Sequence, residues 1–140
     1  MKHNLTFLLL LSTTVLLVGC SPEIKPLVEE HIGFAFPDFD VINRKRGKKS
    51  FNGDYGDTDS LKFKKEANLH QFYKKIDERI RNPRKLDNEN INGIITMVEE
   101  DWSVSETGEY HYLFTEGSYY FFQMDINPKD STIALTYGSW

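Results

Sequence analysis

Cys20 is the only cysteine in a chain of 140 residues, and it closes the stretch Leu17-Val18-Gly19-Cys20. A thiolate is a nucleophile that can accept an acyl group on sulfur, so this residue carries the most specific chemistry in the sequence. Other candidate groups are weaker. Asp54, Asp57 and Asp59 lie in a glycine-containing segment and offer the oxygen ligands that hard cations take. They lack the alternating spacing, the sixth-position glycine and the distal glutamate of a calcium loop, and turn aspartates account for them. His31, His70 and His111 stand singly, without the paired spacing of a zinc site, so no metal and no cofactor is expected. Glu99, Glu100 and Asp101 beside Trp102 could imitate a carboxylate pair for glycoside hydrolysis, but a solvated acidic turn explains them more simply. No Gly-x-Ser-x-Gly elbow and no phosphate-binding glycine motif is present, and nothing along the chain brings a serine to a histidine. A catalytic site is therefore not expected.

Residues 44–49 carry five positive charges in six positions: Arg44, Lys45, Arg46, Lys48 and Lys49. In an exported protein, nucleic acid is excluded as the partner. An acidic envelope polymer, an envelope protein or anionic headgroups remain, beside the plainer reading of a charged arm guarding a sheet edge.

The case for export rests on the first 20 residues. Lys2 precedes an apolar run over residues 5–18, interrupted by Ser12, Thr13 and Thr14. The run is too short for a spanning helix, which needs about 20 apolar residues, and has the layout of a secretory signal. Its ending resembles the lipobox of bacterial lipoprotein precursors. The resemblance implies cleavage between Gly19 and Cys20, acylation of Cys20 and a permanent hold on the lipid bilayer, because stable anchoring takes more than one chain. Residues 1–19 are then a signal peptide, 20–26 a lipidated start and spacer, and 27–140 one globular domain. Ser21 rather than Asp after the cysteine implies outer-membrane sorting in a Gram-negative envelope. No disulfide can form within one chain, so the domain must hold by packing.

The formal net charge of −4 conceals an uneven distribution. Residues 44–85 hold 14 basic against 6 acidic side chains, whereas residues 86–140 hold 1 against 10. Opposed halves that attract one another inside the fold are the simpler expectation, and a partner surface the alternative.

The elements needed to position these groups follow from periodicity. Pro26 can open a helix whose face carries Leu27, Val28, His31 and Ile32, with Gly33 ending it. Phe39 and Val41 begin a strand that runs into the basic stretch. After a loop over residues 52–57, Leu61 and Phe63 lie on a strand pairing back as a hairpin. Asn68, with Gln71 three residues on, caps a helix over 68–81 whose stripe is Leu69, Phe72, Tyr73, Ile76 and Ile80. Residues 82–93 read as a loop and 94–98 as a strand. Tyr110, Tyr112 and Phe114, then residues 119–126, then Ile133, Leu135 and Tyr137 form a meander.

The predicted class is α+β, an antiparallel sheet of about five strands with one main helix packed on it. Tyr119-Tyr120-Phe121-Phe122-Gln123-Met124 is apolar on both faces, which predicts covering on both sides, or else an aromatic surface at Tyr119 and Phe121 open to a partner. Phe36-Pro37-Asp38-Phe39, the hairpin at 53–63, Trp102 and Tyr137-Gly138-Ser139-Trp140 together resemble small lipoproteins of Gram-negative gut and environmental bacteria. That resemblance implies an envelope location and brings no activity with it. The expected function is a membrane-tethered, non-catalytic binding module, with a small envelope enzyme or ligand carrier as the alternative.

Overall fold

The computed structural model describes residues 23–48, 55–91, 94–117 and 119–139. Cys20, Lys49, Asp54 and Trp140 lie outside the described residues. Helix α1 spans Ile24–Ile32, strand β1 Phe39–Lys45, β2 Tyr55–Phe63, helix α2 Leu69–Arg81, β3 Glu89–Ile91, β4 Ile94–Thr96, β5 Val98–Val104, β6 Tyr110–Glu116, β7 Tyr120–Asn127 and β8 Thr132–Ser139. Six strands form one antiparallel sheet in the order β1-β2-β8-β7-β6-β5, and β3 pairs with β4 as a separate hairpin. The α+β class stands. The main sheet has six strands instead of about five, and two helices instead of one contribute to the core.

Alternation divides the sheet cleanly. Leu61, Phe63, Ile133, Leu135, Tyr137, Phe122, Met124, Ile126, Tyr112 and Trp102 point to one face and are buried with Ile24, Val28 and Ile32 of α1 and Phe72 and Ile76 of α2. Both helices therefore pack on the same face. The cap at Asn68 forms as its sequence suggests, its Oδ1 accepting the Gln71 N–H at 3.3 Å. Pro26 sits in the first turn of α1, where its missing N–H leaves no bond unmade.

No helix among the described residues lies on the other face of β7, where Phe121 is half-buried. Phe121 projects there beside glycines. It pairs across the sheet with Gly138, and Gly138 pairs with Gly56. A Cβ on Gly138 would collide with the Tyr55 carbonyl oxygen, so only glycine permits this strand approach. The Phe121 ring lies 3.7 Å from where a Gly56 Cβ would stand. A large ring thus lies over a bare patch of backbone, and Tyr119, 69% exposed, stays in the turn before β7.

Three further segments differ from expectation. Tyr55, Gly56 and Asp57 belong to β2 and not to a loop. Residues 82–93 contain β3, and the expected strand over 94–98 divides into β4 and the start of β5. Glu99, Glu100 and Asp101 lie within β5 and not in a turn, so Glu100 projects to the core face while Glu99 and Asp101 share the opposite one.

Candidate functional site

A groove of about 530 Å3 opens at the end of the sheet where β6 turns into β7. Its walls are Leu27, Glu30 and His31 of α1, Arg84, Leu86 and Asp87 of the segment after α2, Val98 of β5, Phe114 and Glu116 of β6, and Tyr120 of β7. His31 occupies its floor. The residue is only 9% exposed, its imidazole stacked on Phe122 at 4.3 Å between centroids and on Tyr120 at 5.6 Å, with Phe114 edge-on at 5.0 Å.

The tautomer follows from one contact. His31 Nδ1 lies 2.7 Å from the Leu27 carbonyl oxygen. A carbonyl only accepts, so Nδ1 carries the proton and the neutral ring presents a lone pair at Nε2. Desolvation lowers the His31 pKa below its ordinary 6.5, outweighing the Leu27 hydrogen bond and the charges of Glu30 and Glu116, which raise it. The ring is therefore neutral at pH 7. Burial likewise raises Tyr120 to about 12, keeping its hydroxyl protonated.

Behind the groove a polar network fixes the end of α1. Gly33 adopts φ +76° and donates its N–H to the Glu29 carbonyl at 2.9 Å. Its missing side chain admits Arg84, because a Cβ there would meet Nη1 at 2.8 Å. Arg84 Nη2 then donates to the His31 carbonyl at 2.7 Å, as does the Tyr112 hydroxyl at 2.9 Å, so a carbonyl left over at the helix end is doubly satisfied. Arg84 Nε donates to Glu100 at 2.8 Å, Arg79 approaches the same carboxylate at 3.7 Å, and Trp102 Nε1 donates to its other oxygen at 3.3 Å. Glu100 is thus a buried structural anion, its side chain 3% exposed. Here the basic and acidic parts of the chain meet.

The two arginines of the basic arm are committed within the fold. β1 is bulged between Val41 and Asn43, which turns Arg44 toward fully buried Asp59 of β2. Arg46 Nη1 lies 3.2 Å from Asp59 Oδ1 and 3.6 Å from Asp57, and Arg44 Nε lies 3.7 Å from Asp59. The Tyr137 hydroxyl donates to Asp59 Oδ2 at 3.0 Å. Gly47 N–H donates to Asp57 Oδ1 at 3.0 Å, closing the arm onto β2. Asp57 and Asp59 are therefore partners of arginines. Lys45 and Lys48 are exposed.

Strand register makes one arrangement that sequence reasoning missed. Ser103 pairs with His111, and His111 with Asp125, across β5, β6 and β7 on the uncovered face. His111 Nδ1 lies 2.7 Å from Asp125 Oδ1, and Gln123 donates to Oδ2 at 2.9 Å. Ser103 and His111 are neighbours by register without a hydrogen bond between their side chains. Among the described residues no three His, Cys, Asp or Glu side chains gather to hold a metal ion, and His70 is exposed on α2. No helix among them is long and apolar enough to cross a membrane.

Comparisons with protein-family models, with curated proteins and with solved structures return no match.

Proposed function

We propose that this chain is a lipid-anchored, non-catalytic binding module of the cell envelope, held by acylated Cys20 and receiving its ligand in the groove over His31. One observation carries the binding reading: a histidine nine-tenths buried keeps its Nε2 without a hydrogen-bond partner among the described residues, on the floor of a groove. Nε2 is an acceptor left open to the groove, and convergent polar groups in a lined concavity mark a ligand site. The anchor reading is supported by the lipobox-like stretch. Lys45 and Lys48 of the arm and Tyr119 before β7 are exposed, and an acidic envelope polymer or protein could touch them.

Two measurements test the proposal on the full chain. Cells grown with an alkyne analogue of palmitate should label the wild type and not Cys20→Ser; labelling of Cys20→Ser overturns the anchor. For binding, 1H–13C spectra of the His31 ring should shift with small amines, alcohols or carboxylates. A ring indifferent to all three classes overturns the groove as a binding site.

The Ser103–His111–Asp125 row favours a second reading, a small envelope hydrolase, since an aspartate already orients the imidazole that would activate the serine. A fluorophosphonate probe that labels Ser103 and fails on His111→Ala establishes it; absence of labelling on the folded protein removes it.

A further inference from the structure

We infer that the groove over His31 recognises a primary alkylammonium group, with the nitrogen at His31 Nε2 and the alkyl chain along Leu27, Leu86 and Val98. The inference rests on the binding reading above and names the ligand class of that same site.

The polar lining of the groove consists almost wholly of acceptors. Glu30, Asp87 and Glu116 line it and form no ion pair among the described residues. His31 contributes a lone pair, because its proton is engaged by the Leu27 carbonyl. Arg84 is the one cation among the described lining residues, and its guanidinium is spent on Glu100 and on the His31 carbonyl. A ligand anion would meet three carboxylates and no available cation. A neutral alcohol could donate one hydrogen bond but would leave their charge uncompensated.

A primary ammonium satisfies the site on each count. Its three N–H donors match several acceptors at once. Its charge is opposite to that of Glu30 and Glu116, both close enough to raise the His31 pKa. The ring faces of Phe114 and Tyr120 beside His31 attract a cation through their quadrupoles. The His31 ring must stay neutral for this to work. The groups facing it are Glu30 on α1, Arg84 and Asp87 after α2, Glu116 on β6 and Tyr120 on β7. At pH 7 the imidazole is neutral, the state that accepts a cation. Protonation of His31 removes the lone pair and adds a like charge, so affinity falls as the pH drops below 6.5 and through the depressed pKa of the ring.

The test uses the full chain in detergent micelles, with n-butylammonium as the probe and 1-butanol, butyrate and tetramethylammonium beside it. Butylammonium should shift the His31 and Tyr120 ring signals saturably at pH 7. Glu30→Gln with Glu116→Gln, which breaks no side-chain hydrogen bond or ion pair among the described residues, should weaken it by about tenfold or more. Butanol and butyrate should bind far more weakly, and tetramethylammonium, which has no N–H, should lose most of the affinity. Equal binding of butanol or of tetramethylammonium, or indifference to the double variant, overturns the assignment. If butyrate or butanol enters and butylammonium does not, the ammonium class fails while the binding module stands. If no probe moves His31, both fail. Competition by phosphatidylethanolamine vesicles, against phosphatidylglycerol vesicles as control, identifies a lipid headgroup as the source of the ammonium, and its absence a soluble amine; either result upholds the ammonium class.

Discussion

The imidazole of His31 lies flat on the ring of Phe122, 12° from parallel, with its Nδ1–H tied to the backbone one helical turn earlier. A ring clamped on both its face and one nitrogen cannot flip to exchange its nitrogens. Helix α1 therefore presents one atom, Nε2, in one direction, and only that atom can change protonation.

Stability should consequently depend on pH through His31. Its folded pKa is depressed by burial, so between that value and about 6.5 the unfolded chain binds more protons than the folded one. The contribution is fully present above pH 6.5 and is lost as the pH falls through the folded pKa. Urea midpoints measured from about pH 7.5 down to 5 should fall more for the wild type than for His31→Phe. Parallel curves would show that the imidazole is not the titrating group.

The arm should matter for folding as well as for surface charge. Replacing Arg44 and Arg46 together by Gln leaves the Asp59 carboxylate buried without a cation, which should cost about 3 kcal/mol. Lys48→Gln alone should change stability by less than about 0.5 kcal/mol, because that side chain is exposed. Denaturant melts of the double and single variants at about pH 7 separate the two effects.

Ile76 is fully buried beneath α2, and Ile76→Ala should destabilise by about 2–5 kcal/mol. Lys74, on the solvent side of the same helix, should tolerate alanine within about 0.5 kcal/mol. Similar losses in urea for both would contradict the orientation of α2.

Gly33→Ala meets two obstacles, a left-handed backbone and the Arg84 guanidinium. The first alone costs about 1–2 kcal/mol. In an Arg84→Ala background only that backbone cost should persist, so a double-mutant cycle should show clear coupling between the two positions. Strict additivity would mean that Arg84 does not pass through the space Gly33 leaves.

Legibility in the sequence followed locality. Helix α2 is readable because its cap and its apolar stripe are encoded within one short segment, and β6 and β8 because they alternate. Strand β5 is obscured by three consecutive acids, for the middle one is made tolerable in the core by Arg79 and Arg84 from elsewhere in the chain. Helix α1 is legible too, yet His31 reads as one polar residue on an apolar face. What makes it a site is Phe114 and Tyr120, far along the chain and brought together by the register of β6 and β7. The available signal was a histidine flanked by Leu27, Val28 and Ile32, a position where an apolar residue would be the easier choice. Ser103, His111 and Asp125 align for a similar reason, since pairing register is a property of three strands and not of any one.

The bulge at β1 gives that strand two reading frames. Up to Val41 the odd-numbered residues stand on the core side of the sheet; beyond it the even-numbered ones do, which is how Arg44 rather than Asn43 comes to oppose Asp59. The extra residue works as a spacer between a hydrophobic half and a charged half. Deleting Ile42 would leave each half in its own frame, whereas a deletion within either half would put that half out of phase with β2. Changes in chain length along this edge should therefore be tolerated at one position only, a constraint on how the sequence can drift that no single side chain reveals.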